Sequence, residues 1–185
     1  MNIIKTISFI ISLMFLFVCS CSITNNENIQ LKTIKIIDVI DGDTIKDVNN
    51  TIYRLNGIDT PESRININNT WVKTKGLKHT YAIKAKLFLM NLLKESDYIV
   101  TIKTNKKTDK YKRKIVQIFT KNSKNINLLM VQNGLAVVKY ISLNNKDMFY
   151  TKDEKFYHDL INAEYFAKKN RLGFWRINDL VNEIY

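Results

Sequence analysis

Three short β-branched stretches follow one another between residues 33 and 58, with turn-favouring residues between them. "TIKIIDVI" (33–40) partly alternates, "TIKDV" (44–48) follows Gly42, and "TIYRLNGI" (51–58) follows the pair Asn49-Asn50. Segments of this kind read as strands joined by tight connections, and Asn49-Asn50 suits a hairpin turn. Residues 63–75, "SRININNTWVKTK", read as a polar loop. The period then changes to that of a helix over roughly 76–94, with Leu77, Tyr81, Ala85, Phe88 and Leu92 on one stripe and lysines opposite. "DYIVTIKT" (97–104) and "RKIVQIFT" (113–120) are two more strands, joined by the basic segment 105–112. A short helix in "NINLLMVQ" stops near Gly134, and "LAVVKYI" (135–141) reads as a short strand. A last helix, roughly 152–170, carries Phe156, Leu160, Ala163 and Ala167. Short strands interrupted by a helix fit an α+β, β-rich fold: a small closed barrel of the OB type, whose surface loops bind oligonucleotides. Other α+β arrangements share the pattern.

The 185-residue chain has 45% apolar residues, enough for one domain with an ordinary core. It opens with Lys5 and the apolar run "ISFIISLMFLFV" (7–18), too short for a membrane span of about 20 residues. Such a start reads as an export signal over residues 1–20. "VCSC" (18–21) resembles a bacterial lipoprotein cleavage box that leaves Cys21 to be acylated, with Cys19 as the alternative lipid site. Residues 21–32 then read as a polar tether, and 33–185 as the folded domain. Both cysteines lie in this leader region, so the domain is expected to stand without a disulfide.

Lys and Arg number 29 against 17 Asp and Glu. This excess suits a polyanionic partner such as nucleic acid, an anionic membrane or an acidic polymer; a generally solubilising surface accounts for it equally well. Acidic residues nevertheless crowd residues 38–62. Asp41 and Asp43 flank Gly42, which by itself is a plain turn signal. Asp59, Thr60 and Glu62 surround Pro61, the only proline, just after Arg54. Together the two clusters offer the several oxygen ligands that a hard cation such as Ca²⁺ takes. An EF-hand is excluded, because Ile52 stands twelfth from Asp41, where a bidentate glutamate is required. Arg54 beside these carboxylates either forms a structural ion pair or grips a phosphate with two hydrogen bonds. His79 and His158 have no partners at metal-ligand spacing and read as surface residues.

"DVIDGDT" (38–44), "RLNGIDTPE" (54–62), "TDKYKR" (108–113), "NGLAVVKY" (133–140) and "AKKNRLGFW" (167–175) occur in the order found in staphylococcal nuclease-like proteins, the thermonuclease family, which the chain resembles over residues 38–175. The resemblance implies a five-stranded OB-fold barrel with three helices and calcium-dependent hydrolysis of DNA and RNA with little sequence preference. It implies that Asp43, Asp59 and the Thr60 carbonyl hold the calcium ion, with Asp41 shaping that site. It casts Glu62 as the group that activates or orients the attacking water, and Arg54 and Arg113 as the pair that holds the scissile phosphate. Tyr111 and Tyr140 would lie beside the nucleotide, with Lys110 near a phosphate; for Tyr140, ordinary packing is an equal alternative. At residue 112 the family usually has glycine, whereas Lys112 stands here. The expectation is a loop rebuilt into an ordinary backbone conformation, with Lys112 and Lys114 adding phosphate contacts. The chain is thus expected to be an exported, lipid-anchored nuclease, monomeric, at the cell envelope or surface, or otherwise secreted. The competing readings are a catalytically silent nucleic-acid-binding lipoprotein and an adhesin for acidic polysaccharide, which leaves the acids unexplained.

Overall fold

The structure is a computed structural model that describes residues 29–177. The export signal, Cys21 and the start of the tether lie outside the described residues, as do residues 178–185. In chain order the elements are β1 (Gln30–Asp41), β2 (Thr44–Asp47), β3 (Ile52–Leu55), β4 (Ile58–Asp59), β5 (Arg64–Ile67), β6 (Thr70–Lys73), α1 (Gly76–Lys94), β7 (Ile99–Thr104), β8 (Lys114–Phe119), α2 (Ile126–Gln132), β9 (Val137–Val138) and α3 (Glu154–Lys169). A single 3₁₀ turn, Gly173–Arg176, follows.

Five strands close into a barrel in the order β1-β2-β3-β8-β7. Every pair is antiparallel except β3 with β8, which run parallel with Arg54 opposite Ile115. The long strand β1 serves two neighbours. Its first half pairs β7 from Gln30 opposite Thr104 to Lys35 opposite Ile99, and its second half pairs β2. Irregularities between Ile36 and Asp38 and between Val39 and Asp41 bend it between them, as bulges do in small barrels. Because β1 starts at Gln30, residues 30–32 belong to the barrel and not to the tether expected from sequence.

Alternate residues of these strands fill the barrel: Ile34 and Ile36 from β1, Ile45, Tyr53 and Leu55 from β2 and β3, Val100, Ile102, Val116 and Ile118 from β7 and β8. Helix α1 closes one side with Tyr81, Ala85, Leu89, Leu92 and Leu93. The stripe therefore follows steps of four from Tyr81. Leu77, expected in it, is 40% exposed at the helix start, and Phe88 is only half-buried. The expected strand at 135–141 shrinks to Val137–Val138, paired with Ile58 and Asp59 of β4. Residues 63–75, read as a loop, contain the β5–β6 hairpin.

A buried amide joins the second half of the chain to the barrel. The Asn127 side chain accepts a hydrogen bond from the Ile118 N–H (3.0 Å) and donates to the carbonyls of Asn56 (2.9 Å) and Val116 (3.2 Å). Helix α2 ends as the sequence suggests. Gly134 takes φ +64°, its N–H reaches the Val131 carbonyl, and Leu135 N–H reaches that of Met130. Gly134 also meets Gly173 backbone to backbone: a Cβ on Gly173 would lie 1.9 Å from the Gly134 oxygen. Among the described residues no helix is long and apolar enough to cross a membrane.

Candidate active site

The Asp41-Gly42-Asp43 turn joins β1 to β2. Gly42 is there for space, since a Cβ would sit 2.7 Å from the Ala85 side chain of α1 and 3.0 Å from that of Thr60. This close crossing brings Asp43 to the Thr60 segment. Asp43, 1% exposed, accepts from the Thr60 N–H (2.8 Å) and hydroxyl (2.9 Å) on one oxygen and from the Thr44 hydroxyl (3.0 Å) on the other. Asp41 ends β1 and accepts from the Ser63 hydroxyl at 3.1 Å.

Arg54 enters from β3 and is itself buried. One guanidinium nitrogen pairs with Asp43; another contacts Asp59 at 2.5 Å and the Ile58 carbonyl at 3.3 Å. Burial by itself would lower the guanidinium pKa, but Asp43 and Asp59 outweigh it and the net shift is upward. The second Asp59 oxygen takes Lys139 at 3.0 Å. Both carboxylates therefore already share one positive group, and an ion pair is part of what Arg54 does.

Glu62 lies just past Pro61. Its carboxylate accepts no hydrogen bond from the described residues. Burial first, then the charges of Asp43 and Asp41, push its pKa from 4.5 to about 7, against the pull of Arg54.

The second arginine is set by Asp109, which sequence spacing does not single out. Asp109 accepts from the backbone N–H groups of Tyr111 and Arg113, both at 2.9 Å, and from the Arg113 Nε at 2.7 Å. Burial works against its ionised form, but these bonds prevail and hold its pKa below the ordinary value. Arg113 also donates to the Thr44 hydroxyl at 3.3 Å, and Thr44 in turn bonds Asp43. One polar chain thus runs from Asp109 through Arg113, Thr44, Asp43, Arg54 and Asp59 to Lys139. Lys112 adopts φ +62°, and its N–H closes a turn on the Asp109 carbonyl at 3.0 Å. The expected ordinary conformation is incorrect. The loop keeps the left-handed shape that glycine would give, because Asp109 pins the residues on either side of it.

Arg54, Asp59, Glu62, Lys110, Tyr111, Arg113 and Tyr140 all line one cleft of about 930 Å³. Asp41, Asp43 and Thr60 do not line it; Asp43 lies behind Arg54. The exposed Tyr111 ring lies 5.2 Å from the Arg113 guanidinium and 5.0 Å from the Lys110 ammonium. The Tyr140 ring packs on Phe149 at 5.1 Å while remaining partly exposed, so it both packs and faces the cleft. His79 and His158 do not line the cleft. Asp109 and Lys139 stand in the blocks "TDKYKR" and "NGLAVVKY" without being singled out there; their roles depend on distances that sequence spacing does not give.

Among the described residues no three His, Cys, Asp or Glu side chains form a metal cluster. What the site offers is two carboxylates converging on one guanidinium, plus the Thr60 backbone. Such a set fits a hard cation that completes its shell with water and phosphate oxygens, and lacks the nitrogen and sulfur ligands of zinc or copper sites.

Five strands in this order, closed by one parallel pair and flanked by three helices, define an OB-fold barrel. Residues 52–177 match the family described as staphylococcal nuclease homologue, and the chain belongs to that family. Asp41 and Asp43 precede the matched range. An uncharacterized protein of Methanocaldococcus jannaschii is 38% identical over 157 residues, covering 76% of this chain and 70% of that protein. An uncharacterized protein of Bacillus anthracis is 31% identical over 153 residues, 80% of this chain and 63% of its own. Endonuclease YhcR of Bacillus subtilis is 29% identical over 150 residues, 79% of this chain but 12% of that much longer enzyme.

Lys112→Gly should stabilise the domain. Relief of left-handed strain, about 1–2 kcal/mol, exceeds the extra chain entropy of glycine, about 0.5–1 kcal/mol. Urea denaturation should show a higher midpoint with an unchanged slope; a lower midpoint would mean the lysine is not strained. Glu62 carries a pH signature. With cations chelated, stability is fully present below its unfolded pKa of 4.5 and is lost as pH rises through about 7. Asp109, with a lowered pKa, acts below that window. Glu62→Gln should reduce the decline between pH 4.5 and 7 in denaturation curves, leaving the share of Asp43, whose pKa burial also raises.

Proposed function

We propose that the protein is a calcium-dependent nuclease that hydrolyses phosphodiester bonds of DNA and RNA with low sequence specificity. The observation that carries this reading is the meeting of Arg54, Arg113 and Glu62 in one cleft, two guanidiniums beside a carboxylate that has no hydrogen-bond donor among the described residues. Membership of the nuclease family and likeness to a named endonuclease support it.

Asp43, Asp59 and the Thr60 carbonyl would hold the calcium ion, with Asp41 shaping that corner. The ion would supply positive charge to the phosphoryl oxygens and to an attacking water. Arg54 then need no longer neutralise Asp43 and Asp59 alone and can turn its outer N–H groups to phosphate. Arg113, steered by Asp109, grips the same phosphate from its place just before β8. Charge that builds on the phosphoryl oxygens is met by groups already in place, which is where most catalytic stabilisation arises. Glu62 takes or orients the proton of the attacking water, and its raised pKa suits proton transfer near neutral pH. Tyr111 and Tyr140 present faces to bases, a contact tolerant of sequence.

A silent binding module is the competing reading. A binder has no use for a desolvated carboxylate pushed against a phosphate site, since it repels the ligand. We also propose export and anchoring through lipid on Cys21, on the sequence of the leader alone, with the domain acting as a monomer at the cell envelope.

Cleavage of denatured DNA and of RNA should require Ca²⁺ and cease in excess chelator; full activity in chelator would overturn the proposal. Arg54→Lys and Arg113→Lys should each lose about 2–4 kcal/mol of transition-state stabilisation, since lysine keeps charge without two-pronged contact. Comparison of kcat/KM with urea midpoints separates this from unfolding. Cys21→Ser should remove the protein from the membrane fraction, and retention there would point to Cys19 or an uncleaved leader.

A further inference from the structure

The β5–β6 hairpin projects from the residue next to Glu62. Its base is clamped there. The Thr74 hydroxyl donates to the Glu62 and Ser63 carbonyls at 2.9 and 3.0 Å, and the Thr74 N–H to that of Ser63 at 3.0 Å. At its tip Asn68 and Asn69 both take positive φ, +49° and +64°, the requirement of a two-residue turn whose twist matches that of the strands. The ribbon is therefore preformed.

Its register sorts the side chains. Arg64 stands opposite Lys73 and Asn66 opposite Trp71, and strand alternation puts all four on one face. Ile65, Ile67 and Val72 fall on the other. Trp71 is 67% exposed. Like charges directly opposite in an antiparallel pair are unfavourable, and among the described residues neither Arg64 nor Lys73 has a carboxylate partner. The free protein thus keeps two facing cations and a bare indole on a ribbon rooted next to Glu62 of the cleft. A polyanion with flat bases relieves both costs.

We propose that this face is a second binding element for single-stranded nucleic acid. It takes the nucleotides that run out of the cleft past Glu62, pairs their phosphates with Arg64 and Lys73, and stacks a base on Trp71. The inference rests on the nuclease reading of the cleft. Asn66 and Trp71 lie two residues beyond the Arg64–Lys73 pair, about 7 Å along the ribbon. The spacing separates a phosphate contact from a stacked base.

The test uses the full-length protein in chelator, so that binding is read without cleavage. The probe is a fluorescein-labelled 12-residue oligothymidylate. Trp71→Ala should weaken binding about tenfold, within the range for loss of one stacked base, and Trp71→Phe should restore most of it. The double variant Arg64→Ala/Lys73→Ala should reduce the slope of log Kd against log salt by about 1.4, the value for two contacts on a single strand. Arg113→Ala serves as the cleft control. If wild type binds and Arg113→Ala weakens it while the hairpin variants match wild type, the hairpin inference fails and the nuclease reading stands. If wild type does not bind in chelator, the hairpin inference fails, while the nuclease reading is still decided by Ca²⁺-dependent cleavage. Hairpin variants that keep oligonucleotide affinity but lose binding to phosphatidylglycerol vesicles would assign the ribbon to a membrane and overturn the proposal.

Discussion

A guanidinium held between two buried carboxylates is the interaction on which one end of this barrel depends. Arg54 reaches Asp43, from the β1–β2 turn, and Asp59, from β4, so three separate pieces of chain meet through it. None of the three charges is stable there alone. Removing one partner of a buried pair typically costs about 3–5 kcal/mol, because the other is left uncompensated. The surrounding donors reflect that constraint: Thr60 and Lys139 satisfy the carboxylate oxygens that the arginine does not contact, and Thr44 adds a second donor to the Asp43 oxygen that it does. The same arrangement that stabilises the fold leaves acid and base concentrated at a cleft wall, where the proposed ion and phosphate would meet.

The barrel explains how such distant residues meet. Arg54 lies on β3, and Arg113 stands just before β8, its parallel neighbour. Closure of the barrel sets the two guanidiniums on one cleft, and Asn127 fastens the β8 edge to the turn that leads into Asp59. Helix α1 then presses on Gly42, which keeps the first acidic turn against Thr60. Core packing and site geometry are therefore one problem in this fold. A bulky residue at 42 would be felt at Asp43 before it was felt in the core.

Much of this was legible in the residues. The β-branched runs, the α1 period and the helix stop at Gly134 reflect local physics, and local physics survives in sequence. The cleft residues Arg54, Glu62, Tyr111 and Arg113 were legible as ordered blocks. What escaped the reading depended on context. "ININNTWV" does alternate, but its asparagines made it look like a loop, and only the left-handed Asn68-Asn69 pair reveals a turn. Lys112 looked like a reshaped loop because a lysine is costly at positive φ; the Asp109 bonds that impose that cost lie in side-chain geometry. Leu77 fits the helical stripe on paper yet sits exposed in the first turn of α1.

The parallel pairing of β3 with β8 has a consequence for the life of the chain. Parallel strands cannot be joined by a tight turn, and here the crossover between them carries the hairpin, α1 and β7. Contacts between segments so far apart are slow to form, because loop-closure entropy is spent before they give anything back. The two arginines are strangers until that late step. A newly made polypeptide, still open, has no place where both can hold one phosphate. The topology thus ties the chemistry proposed for this molecule to completed folding: until β8 docks beside β3, Arg54 and Arg113 cannot share one phosphate.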